Sequence, residues 1–506
     1  MVNAVDSIWQ HAERAGDRAA LRVGDRTWTY ADLRDQVSAW ADRFAAAGVA
    51  RGDRILLVAP SSAEYVPAYH GILAHGAVAV TVNSMSTAAE LGYFLADSGS
   101  RLVIAAPDCE AAAREAVGPD GPDVWILAPG DLEVPADVPP PVDLPDDAGA
   151  VIMYTSGTTG RPKGAELSHR NIVLSGESVI EALGVSADDR WASALPLFHV
   201  FGQVTVMRTA FHAGASLSLL PKFDGRALLD LTIAHRITVL SGVPTMWNAM
   251  VNVDAEFEPG AFEDLSWAVS GGAGLPGEVS RAFLERFGCE LLSGYGLTET
   301  AAAGACNRAG APRKEGSVGI PWPGVEVRVL DTDRQPVPHG EVGEIAIRSE
   351  MVMKGYWNRP DATAEVMHDG WFLTGDLGKV DDEDYVWVVD RKKDLVIRGG
   401  YNVYPREVEE VLYEHPDILE AAVVGLPDDY LGEEIAAIIA LCPGATFDAS
   451  AMRAWVGERL SAYKVPRVYQ VVDELPKGAT GKILKRGIDR QEVRASGLRV
   501  ERRPVG

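Results

Sequence analysis

One segment of the sequence, residues 154–164, combines hydroxyl side chains, glycines and one lysine in the way expected of a loop that binds phosphate. It reads Tyr-Thr-Ser-Gly-Thr-Thr-Gly-Arg-Pro-Lys-Gly. Glycines let backbone N–H groups approach phosphate oxygens, hydroxyls can donate hydrogen bonds, and Lys163 adds a positive charge. A Walker loop needs four residues between its first glycine and Gly-Lys-Ser/Thr, whereas here Lys163 follows Pro162 and precedes Gly164. The spacing therefore disfavours kinase and GTPase activity.

A second segment, residues 294–300, brings together an aromatic ring, hydroxyls and a carboxylate. It reads Gly-Tyr-Gly-Leu-Thr-Glu-Thr and follows a predicted strand at 290–292. Because open α/β sheets bind ligands at the carboxyl ends of their strands, Tyr295 could cover a purine there and Glu299 could hold Mg²⁺. On its own the segment fits a tight turn better than a binding site.

Three charged residues in the last third of the chain could complete a nucleotide site. Asp376 suits ribose hydroxyls, and Arg391 suits the same sugar or its phosphate. Lys482 follows a glycine turn that begins at Pro476. Taken singly, each of these residues is explained at least as well by a salt-bridged turn or a solvated side chain as by nucleotide binding. Only their occurrence together points to a nucleotide site.

The composition limits the classes of protein to consider. At 506 residues the chain exceeds the size at which one core keeps growing, so two or more domains are expected. The net charge of -25 argues against a nucleic-acid or anionic-membrane partner. Residues 391–506 contain 18 basic and 18 acidic side chains, so the acidic excess lies entirely before them.

The cysteines and apolar runs indicate a soluble cytoplasmic protein. The four cysteines are not spaced as metal ligands or redox pairs. The first residues lack a basic segment followed by an apolar core, and no run of about 18 apolar residues occurs. We therefore expect neither a disulfide scaffold nor a transmembrane segment.

The apolar pattern alternates between helical and strand-like periods. Tyr30, Leu33, Val37, Trp40 and Phe44 recur at steps of three and four residues, which predicts a helix. The predicted order is helix 30–44, strand 55–58, helix 65–73, strand 77–80, helix 91–95, strand 102–104, strand 150–153 and, after the phosphate loop, a helix beginning at Ile172. Such alternation is typical of parallel sheets covered by helices.

Composition also divides the chain into domains. Prolines and aspartates make residues 131–149 an extended connector. We predict an α/β fold with a large N-terminal domain, residues 1–390, made of stacked and mostly parallel α/β sheets. Short alternating segments predict a smaller antiparallel β unit within it at about 325–390. Residues 391–506 are expected to form a small α+β C-terminal domain.

Taken together and in this order, the motifs resemble the adenylate-forming superfamily of acyl-CoA synthetases, peptide-synthetase adenylation domains and luciferases. The resemblance extends from about Ala20 to Arg486, and the phosphate loop is its most specific part. It implies that a carboxylic acid reacts with ATP and Mg²⁺ to give acyl-AMP and pyrophosphate, and that CoA then accepts the acyl group. It also implies that the C-terminal domain is mobile about a hinge at 391–394, where Lys393 falls.

The resemblance assigns roles in the nucleotide site. It implies that Lys482 bridges the substrate carboxylate and the α-phosphate, that Thr298 touches the α-phosphate, and that Glu299 holds the metal ion. Lys163 and His199 complete the implied catalytic set. The residues implied to bind ATP or AMP are Thr155, Ser156, Gly157, Thr158, Thr159, Gly160, Lys163, Gly271, Gly272, Ala273, Gly294, Tyr295, Gly296, Thr298, Asp376, Arg391 and Lys482.

The resemblance also implies an acyl pocket and a thiol tunnel. The implied pocket residues are His199, Val200, Phe201, Gly202, Val243, Gly271, Gly294 and Ala302. Arg398, Gly399 and Gly400 would form the CoA side, where glycines allow a pantetheine arm close to the backbone. The sequence departs from the common pattern at Gly274 and Ser293, where many members carry proline and glutamine. No arginine precedes Gly294, which disfavours a dicarboxylic substrate of the malonate type.

The small and apolar pocket candidates lead us to expect a medium- to long-chain fatty acid as substrate. The alternative is a bulky or aromatic carboxylate of a specialised pathway, passed to CoA or to an acyl carrier protein. An equally good explanation of the alanine run 301–303 is that it packs a core. The sequence leaves open whether the chain forms a homodimer.

Reasoning from the residues leaves three other functions open. Residues 272–277 match a dinucleotide fingerprint after a predicted strand at 267–269, as in an NAD-dependent oxidoreductase, although Pro276 interrupts the turn. A luciferase-like oxygenase would share the adenylation motifs. A nucleotide-binding protein without catalysis is the third rival, and the intact set of charged residues argues against it.

Overall fold

Alternating helices and strands build the sheets at the core of the large domain, as the sequence predicts. The computed structural model describes residues 2–130, 132–155, 161–428, 430–478 and 480–500. One sheet runs from edge to edge in the order Ile320–Pro321, Gly304–Cys306, Leu291–Gly296, Trp267–Ser270, Val239–Gly242, Arg190–Ser193, Ser216–Leu219, Ala19–Val23 and Arg26–Thr29. Its central strands are parallel, and antiparallel strands close both edges.

A second sheet carries the strand that leads into the phosphate loop. Its order is Gly355–Tyr356, Lys163–Ser168, Gly149–Thr155, Val78–Val82, Arg54–Val58, Leu102–Ala105 and Asp123–Ile126. The last five of these strands are parallel. Except in the edge strand Asp123–Ile126, which has no buried residue, their near-continuous burial is what a sheet covered on both faces requires.

Helices cover these sheets, and they include the predicted helices that span residues 30–44, 65–73 and 91–95. Those of the large domain are Asp6–Ala15, Tyr30–Ala46, Tyr65–His75, Ala88–Ser98, Glu110–Val117, His169–Leu183, Thr209–Ala213, Gly225–Ala234, Pro244–Val251, Gly277–Phe287 and Pro360–Val366. A π-helical segment, Phe201–Arg208, precedes Thr209–Ala213 and is buried throughout. Short 3₁₀ turns lie at Pro107–Cys109 and Thr298–Thr300.

The region after the phosphate loop differs from the prediction. Residues 163–168 form a strand that pairs antiparallel with Gly149–Thr155. The next helix begins at His169 and not at Ile172, because Ser168 caps it. The Ser168 hydroxyl accepts from the Asn171 N–H at 3.1 Å, and the Asn171 side chain accepts from the Ser168 N–H at 2.8 Å.

The predicted antiparallel unit is present at the end of the large domain. Its strands are Glu326–Leu330, Gly343–Arg348, Trp371–Val380, Met367–His368 and Val386–Arg391. They pair antiparallel throughout, with the long strand Trp371–Val380 at the centre. This unit supplies the carboxylate and guanidinium that the sequence assigns to a sugar.

The C-terminal domain is a mixed α+β unit with its own core. Its strands are Val396–Arg398, Tyr401–Val403, Ile418–Asp428, Gly432–Leu441, Val468–Val472 and Leu498–Arg499, and its helices are Pro405–Tyr413, Ala449–Arg459 and Arg490–Ser496, with a 3₁₀ turn at Lys485–Gly487. Its buried apolar residues form clusters separate from the core of the large domain, which extends to Val386. The fold class is confirmed, and the exact domain boundary near residue 390 stays a prediction. In the described part of the chain we find no helix with the length and apolar character to cross a membrane.

Candidate active site

A cavity of about 1430 Å³ is lined by residues of both domains and collects most of the predicted site. The predicted residues on its wall are Thr155, Lys163, His199, Val200, Phe201, Val243, Gly272, Ala273, Gly294, Tyr295, Gly296, Thr298, Glu299, Asp376, Arg391, Lys393 and Lys482. The phosphate-loop residues Ser156, Gly157, Thr158, Thr159 and Gly160 lie outside the described residues. The ends of the loop, Thr155 and Lys163, are register partners in the hairpin.

Tyr295, Asp376 and Arg391 form one connected group. The Tyr295 hydroxyl donates to Asp376 Oδ2 at 2.8 Å, and Arg391 Nε lies 3.3 Å from Asp376 Oδ1. Asp376 and Arg391 are also directly opposed on neighbouring strands, so backbone pairing brings them together. Burial, reinforced by the Asp376 carboxylate, raises the pKa of Tyr295 well above its usual value, and the hydroxyl remains a donor.

Tyr356, which the sequence analysis does not predict as a site residue, contacts both Glu299 and Lys163. Its hydroxyl donates to Glu299 Oε1 at 2.9 Å, and Lys163 Nζ lies 5.2 Å from the centre of its ring. Burial and the Glu299 charge both raise the pKa of Tyr356. Tyr356 reaches this position because its short strand pairs with Lys163–Ser168, a contact between residues almost 200 positions apart.

Glu299 suits the cation that the sequence analysis assigns to it. It is buried, with one oxygen engaged by Tyr356, and it borders the cavity close to the end of the phosphate loop. Among the described residues no group of three or more His, Cys, Asp or Glu side chains could hold a metal ion by itself. One carboxylate fits Mg²⁺, which usually takes one or two protein carboxylates and completes its shell with substrate phosphates and water.

Lys482 extends into the cavity from a turn that is attached to the large domain. The Thr245 hydroxyl donates to the carbonyl oxygen of Gly481 at 2.9 Å. Gly481 has a φ of +77°, and a Cβ there would lie 3.1 Å from Thr245 Oγ1, so glycine is required. Burial lowers the pKa of Lys482 to about 8, and the positive charge of Arg391 acts in the same direction.

His199 borders the cavity as a neutral imidazole. Burial lowers its pKa to about 4, and the charge of Lys482, which borders the same cavity, acts in the same direction. The Phe201 backbone N–H donates to His199 Nδ1 at 3.2 Å. The ring proton therefore lies on Nε2, which is left free to donate into the cavity.

At the apolar end of the cavity the Phe201 ring packs against Gly271. The Phe201 ring lies on Gly271, where a Cβ would be 3.1 Å from the nearest ring carbon. A Cβ on Gly202 would lie 2.5 Å from the Pro196 carbonyl oxygen. The backbone of Ala302 packs against Gly296, and the flanking alanines are fully buried. Gly202, Gly271 and Ala302 thus lie outside the described wall of the cavity, and the alanine run packs the core.

The predicted CoA-side residues lie on the C-terminal domain, off the described cavity wall. Gly399 and Gly400 form a left-handed turn between two short strands, with φ of +58° and +83°. The Arg398 side chain points into the domain, where Nη2 lies 2.8 Å from Glu434 Oε1 and Nη1 donates to the Tyr463 carbonyl oxygen at 2.7 Å. A pantetheine arm would therefore meet the glycine backbone and not this guanidinium.

Two family models match the chain in the order of its domains. The model for the AMP-binding enzyme matches residues 8–357, and that for the AMP-binding enzyme C-terminal domain matches residues 407–482. A feruloyl-CoA synthase from Amycolatopsis sp is 37% identical over 95% of this chain and 97% of its own length. A long-chain-fatty-acid–CoA ligase from Bacillus subtilis (strain 168) is 33% identical over 95% of this chain and 93% of its own length.

Solved structures agree with these matches. The crystal structure of ATP-bound MatB from Rhodopseudomonas palustris superimposes with a TM-score of 0.88 at 31% sequence identity, covering 97% of this chain and 99% of that one. The chain belongs to the AMP-binding enzyme family of adenylate-forming ligases. It is an acid–thiol ligase that uses ATP with Mg²⁺ and takes CoA as co-substrate, which replaces the oxidoreductase interpretation of residues 272–277.

Proposed function

We propose that this ligase activates an aromatic monocarboxylic acid, forming aryl-AMP and pyrophosphate and then aryl-CoA and AMP. The observation that carries the proposal is the closure of the apolar end of the cavity by Phe201 over Gly271. A flat, short acid fits such a space, whereas a long alkyl chain needs a deep channel. The similarity to a feruloyl-CoA synthase supports the same choice.

The chemistry of the pocket wall supports an uncharged body on the acid. Around His199 the wall is formed by Leu195, Val200, Phe201 and Val243, which are all apolar. Ser293 precedes Gly294 on the neighbouring strand, where a guanidinium would be needed to bind a second carboxylate. Each buried methylene of an apolar body contributes about 0.8 kcal/mol, so pocket depth determines selectivity strongly.

In the first half-reaction the acid carboxylate attacks the α-phosphorus of ATP, because a carboxylate cannot expel oxide and needs a better leaving group. Lys482 would bridge the attacking carboxylate and the α-phosphate, and Lys163 would offset charge on the departing pyrophosphate. The neutral His199 would donate from Nε2 to the acid. Mg²⁺ held by Glu299 would neutralise phosphate charge when bound.

The second half-reaction needs a different arrangement of the C-terminal domain. In this structure Lys482 lies in the cavity, while the Gly399–Gly400 turn does not border it, an arrangement suited to adenylation. Rotation about Lys393 would withdraw Lys482 and bring the glycine turn to the adenylate. The CoA sulfur could then attack the acyl carbon and release AMP.

The test is pyrophosphate release over a panel of acids, measured with and without CoA. The panel contains benzoate, ferulate, indoleacetate, fatty acids of eight to sixteen carbons, and malonate. We expect the highest kcat/KM for an aromatic acid and little activity with malonate. A fatty acid that exceeds every aromatic acid would refute the aromatic assignment and restore the expectation from sequence.

A matched variant makes the test specific to the pocket. Phe201→Ala should open space over Gly271 and raise kcat/KM for fatty acids relative to benzoate by tenfold or more, since about two to three newly accommodated methylenes contribute roughly fourfold each. Phe211→Leu, in the core behind the π-helical segment, serves as the control for altered packing. If fatty-acid preference is the same in both variants, Phe201 does not limit the depth.

A further inference from the structure

The Arg406 side chain joins the C-terminal domain to the large domain at the cavity. The residue lies in the first turn of the helix Pro405–Tyr413, and it borders the cavity. Its Nη1 donates to the Val388 carbonyl oxygen at 2.7 Å, and its backbone N–H donates to Asp390 Oδ2 at 2.9 Å. Val388 and Asp390 belong to the last strand of the large domain, so both bonds cross the predicted hinge at 391–394.

On the large domain the same guanidinium lies over Gly274. A Cβ at Gly274 would be 2.6 Å from Arg406 Cζ and 2.6 Å from Nε, closer than Cβ atoms approach in folded proteins. The backbone itself does not require glycine here, since Gly274 lies outside the left-handed region that Gly272 occupies. A side chain at 274 is therefore excluded by Arg406 and not by backbone strain.

The Arg406 guanidinium could make way for such a Cβ only by losing its own hydrogen bonds. Nε donates to Glu410 Oε1 at 3.2 Å, one turn along the same helix, while Nη1 is engaged by Val388. The side chain is 19% exposed, so water cannot easily replace these partners. Because hydrogen bonds made by a charged group are stronger than neutral ones, the guanidinium is a fixed part of the contact between the domains.

Two further hydrogen bonds connect the domains in this arrangement. The Thr245 hydroxyl donates to the carbonyl oxygen of Gly481, next to Lys482, and Asn248 Nδ2 donates to the Leu419 carbonyl oxygen at 3.0 Å. These bonds form while Lys482 borders the cavity. A rotation that withdraws Lys482 must break them, and it must also separate the arginine from the large domain.

We propose that Arg406 is a positioning residue for adenylation, which docks on Gly274 and thereby holds the C-terminal domain with Lys482 in the cavity. The inference rests on the proposed function, in which that domain rotates about Lys393 between the two half-reactions. In the second arrangement the contact is broken, so Arg406 contributes nothing to thioester formation. Its loss shifts the balance between the two arrangements and leaves the reacting groups of each unchanged.

The first measurement compares Arg406→Ala with the wild type. The variant keeps the backbone bond to Asp390 and loses only the side-chain contacts. We expect kcat for pyrophosphate release, with the best acid of the panel, to fall about tenfold, as for one hydrogen bond to a charged group. The KM for ATP should change by less than about threefold, because most of the implied nucleotide ligands lie on the large domain. Thioester formation from prepared acyl-AMP and CoA should not fall.

The second measurement changes the other side of the contact. Gly274→Ala introduces the Cβ that Arg406 excludes, so it should displace the guanidinium and slow adenylation about as much as Arg406→Ala does. In the double variant this Cβ no longer meets a guanidinium. Adenylation should therefore be no slower than in Arg406→Ala alone, which is the non-additivity that a direct contact gives in a double-mutant cycle.

Arg281→Ala is the matched control for charge. Arg281 borders the same cavity but pairs with Glu278 on its own helix, so the variant removes one positive charge and leaves the docking contact in place. Adenylation should stay within about twofold of the wild type. If Arg406→Ala does not fold, as judged by its thermal unfolding, Arg406→Gln replaces it in the cycle.

Four results would overturn the inference: unchanged adenylation in Arg406→Ala, equal loss of both half-reactions, losses that multiply in the double variant, or an equal loss in Arg281→Ala. Each rate is compared with the wild type on the same acid, so the comparison does not depend on whether that acid is aromatic. An enzyme that prefers a fatty acid and still shows the non-additive loss would refute the aromatic assignment and retain the inference.

Discussion

Replacing Lys482 with alanine should abolish one half-reaction and spare the other. The lysine side chain lies in the cavity that His199 and Arg391 also border, where burial leaves its charge poorly screened by water. One unit charge at about 4 Å from a developing negative charge contributes about 4 kcal/mol at an effective dielectric constant of about 20. We therefore expect adenylation to slow by about 10³ in Lys482→Ala, at the upper end of the usual loss for one fixed donor.

The assay separates the two steps. Adenylation is followed as pyrophosphate release from ATP and acid, and thioester formation is followed from chemically prepared acyl-AMP and CoA. Thioester formation should stay within about threefold of the wild type, because in the proposed mechanism Lys482 leaves the site before that step. Lys477→Ala is the control, since Lys477 lies on the same turn but pairs with Glu420 at 2.9 Å. Equal loss of both steps, or intact adenylation, would refute the role of Lys482.

The remaining predictions concern charge, metal binding and rotation. Burial lowers the pKa of Lys482 to about 8, so the protonated form is lost as pH rises through that value and kcat/KM for ATP should fall above about pH 8. In Lys482→Arg the side chain stays charged, and kcat/KM should stay constant to higher pH. A wild-type profile that is flat to pH 10 contradicts this prediction. Tyr356→Phe removes the hydrogen bond to Glu299 and should raise the KM for MgATP about tenfold, with little change in thioester formation from acyl-AMP. An unchanged KM would show that Glu299 does not need the hydrogen bond from Tyr356. Lys393→Pro fixes φ at the proposed hinge and should reduce overall turnover at least tenfold, while each half-reaction measured alone is retained. The control variant Lys393→Ala should have normal turnover. Equal turnover of the two variants would count against the hinge.

The sequence predicted elements whose pattern is local. The helix Tyr30–Ala46 and the parallel strands around Arg54–Val58 were recognisable because their apolar residues repeat at the period of the element itself. The hairpin strand Lys163–Ser168 was missed because it is short, carries charged residues at Lys163 and Glu166, and gains its partners from the fold.

The candidate site also contains residues that the sequence predicts and residues that only the structure reveals. The resemblance named the charged groups around the nucleotide, because they occur in short motifs. It could not reveal Tyr356, whose place depends on pairing with Ala165, a residue far away in the sequence. Nor could it reveal that Phe201 closes over Gly271 or that Arg398 pairs with Glu434, since both contacts depend on side-chain packing in three dimensions.

The contact between Phe201 and Gly271 has a consequence for how such an enzyme could diversify. Under the proposed function the Phe201 ring limits the size of the acid, whereas Tyr295, Asp376 and Arg391 lie on separate strands at the proposed nucleotide end. A substitution of Phe201 could therefore change which acids are accepted and leave the proposed ATP-binding residues unchanged. Single substitutions could then produce a new acid specificity without an intermediate enzyme that has lost activity.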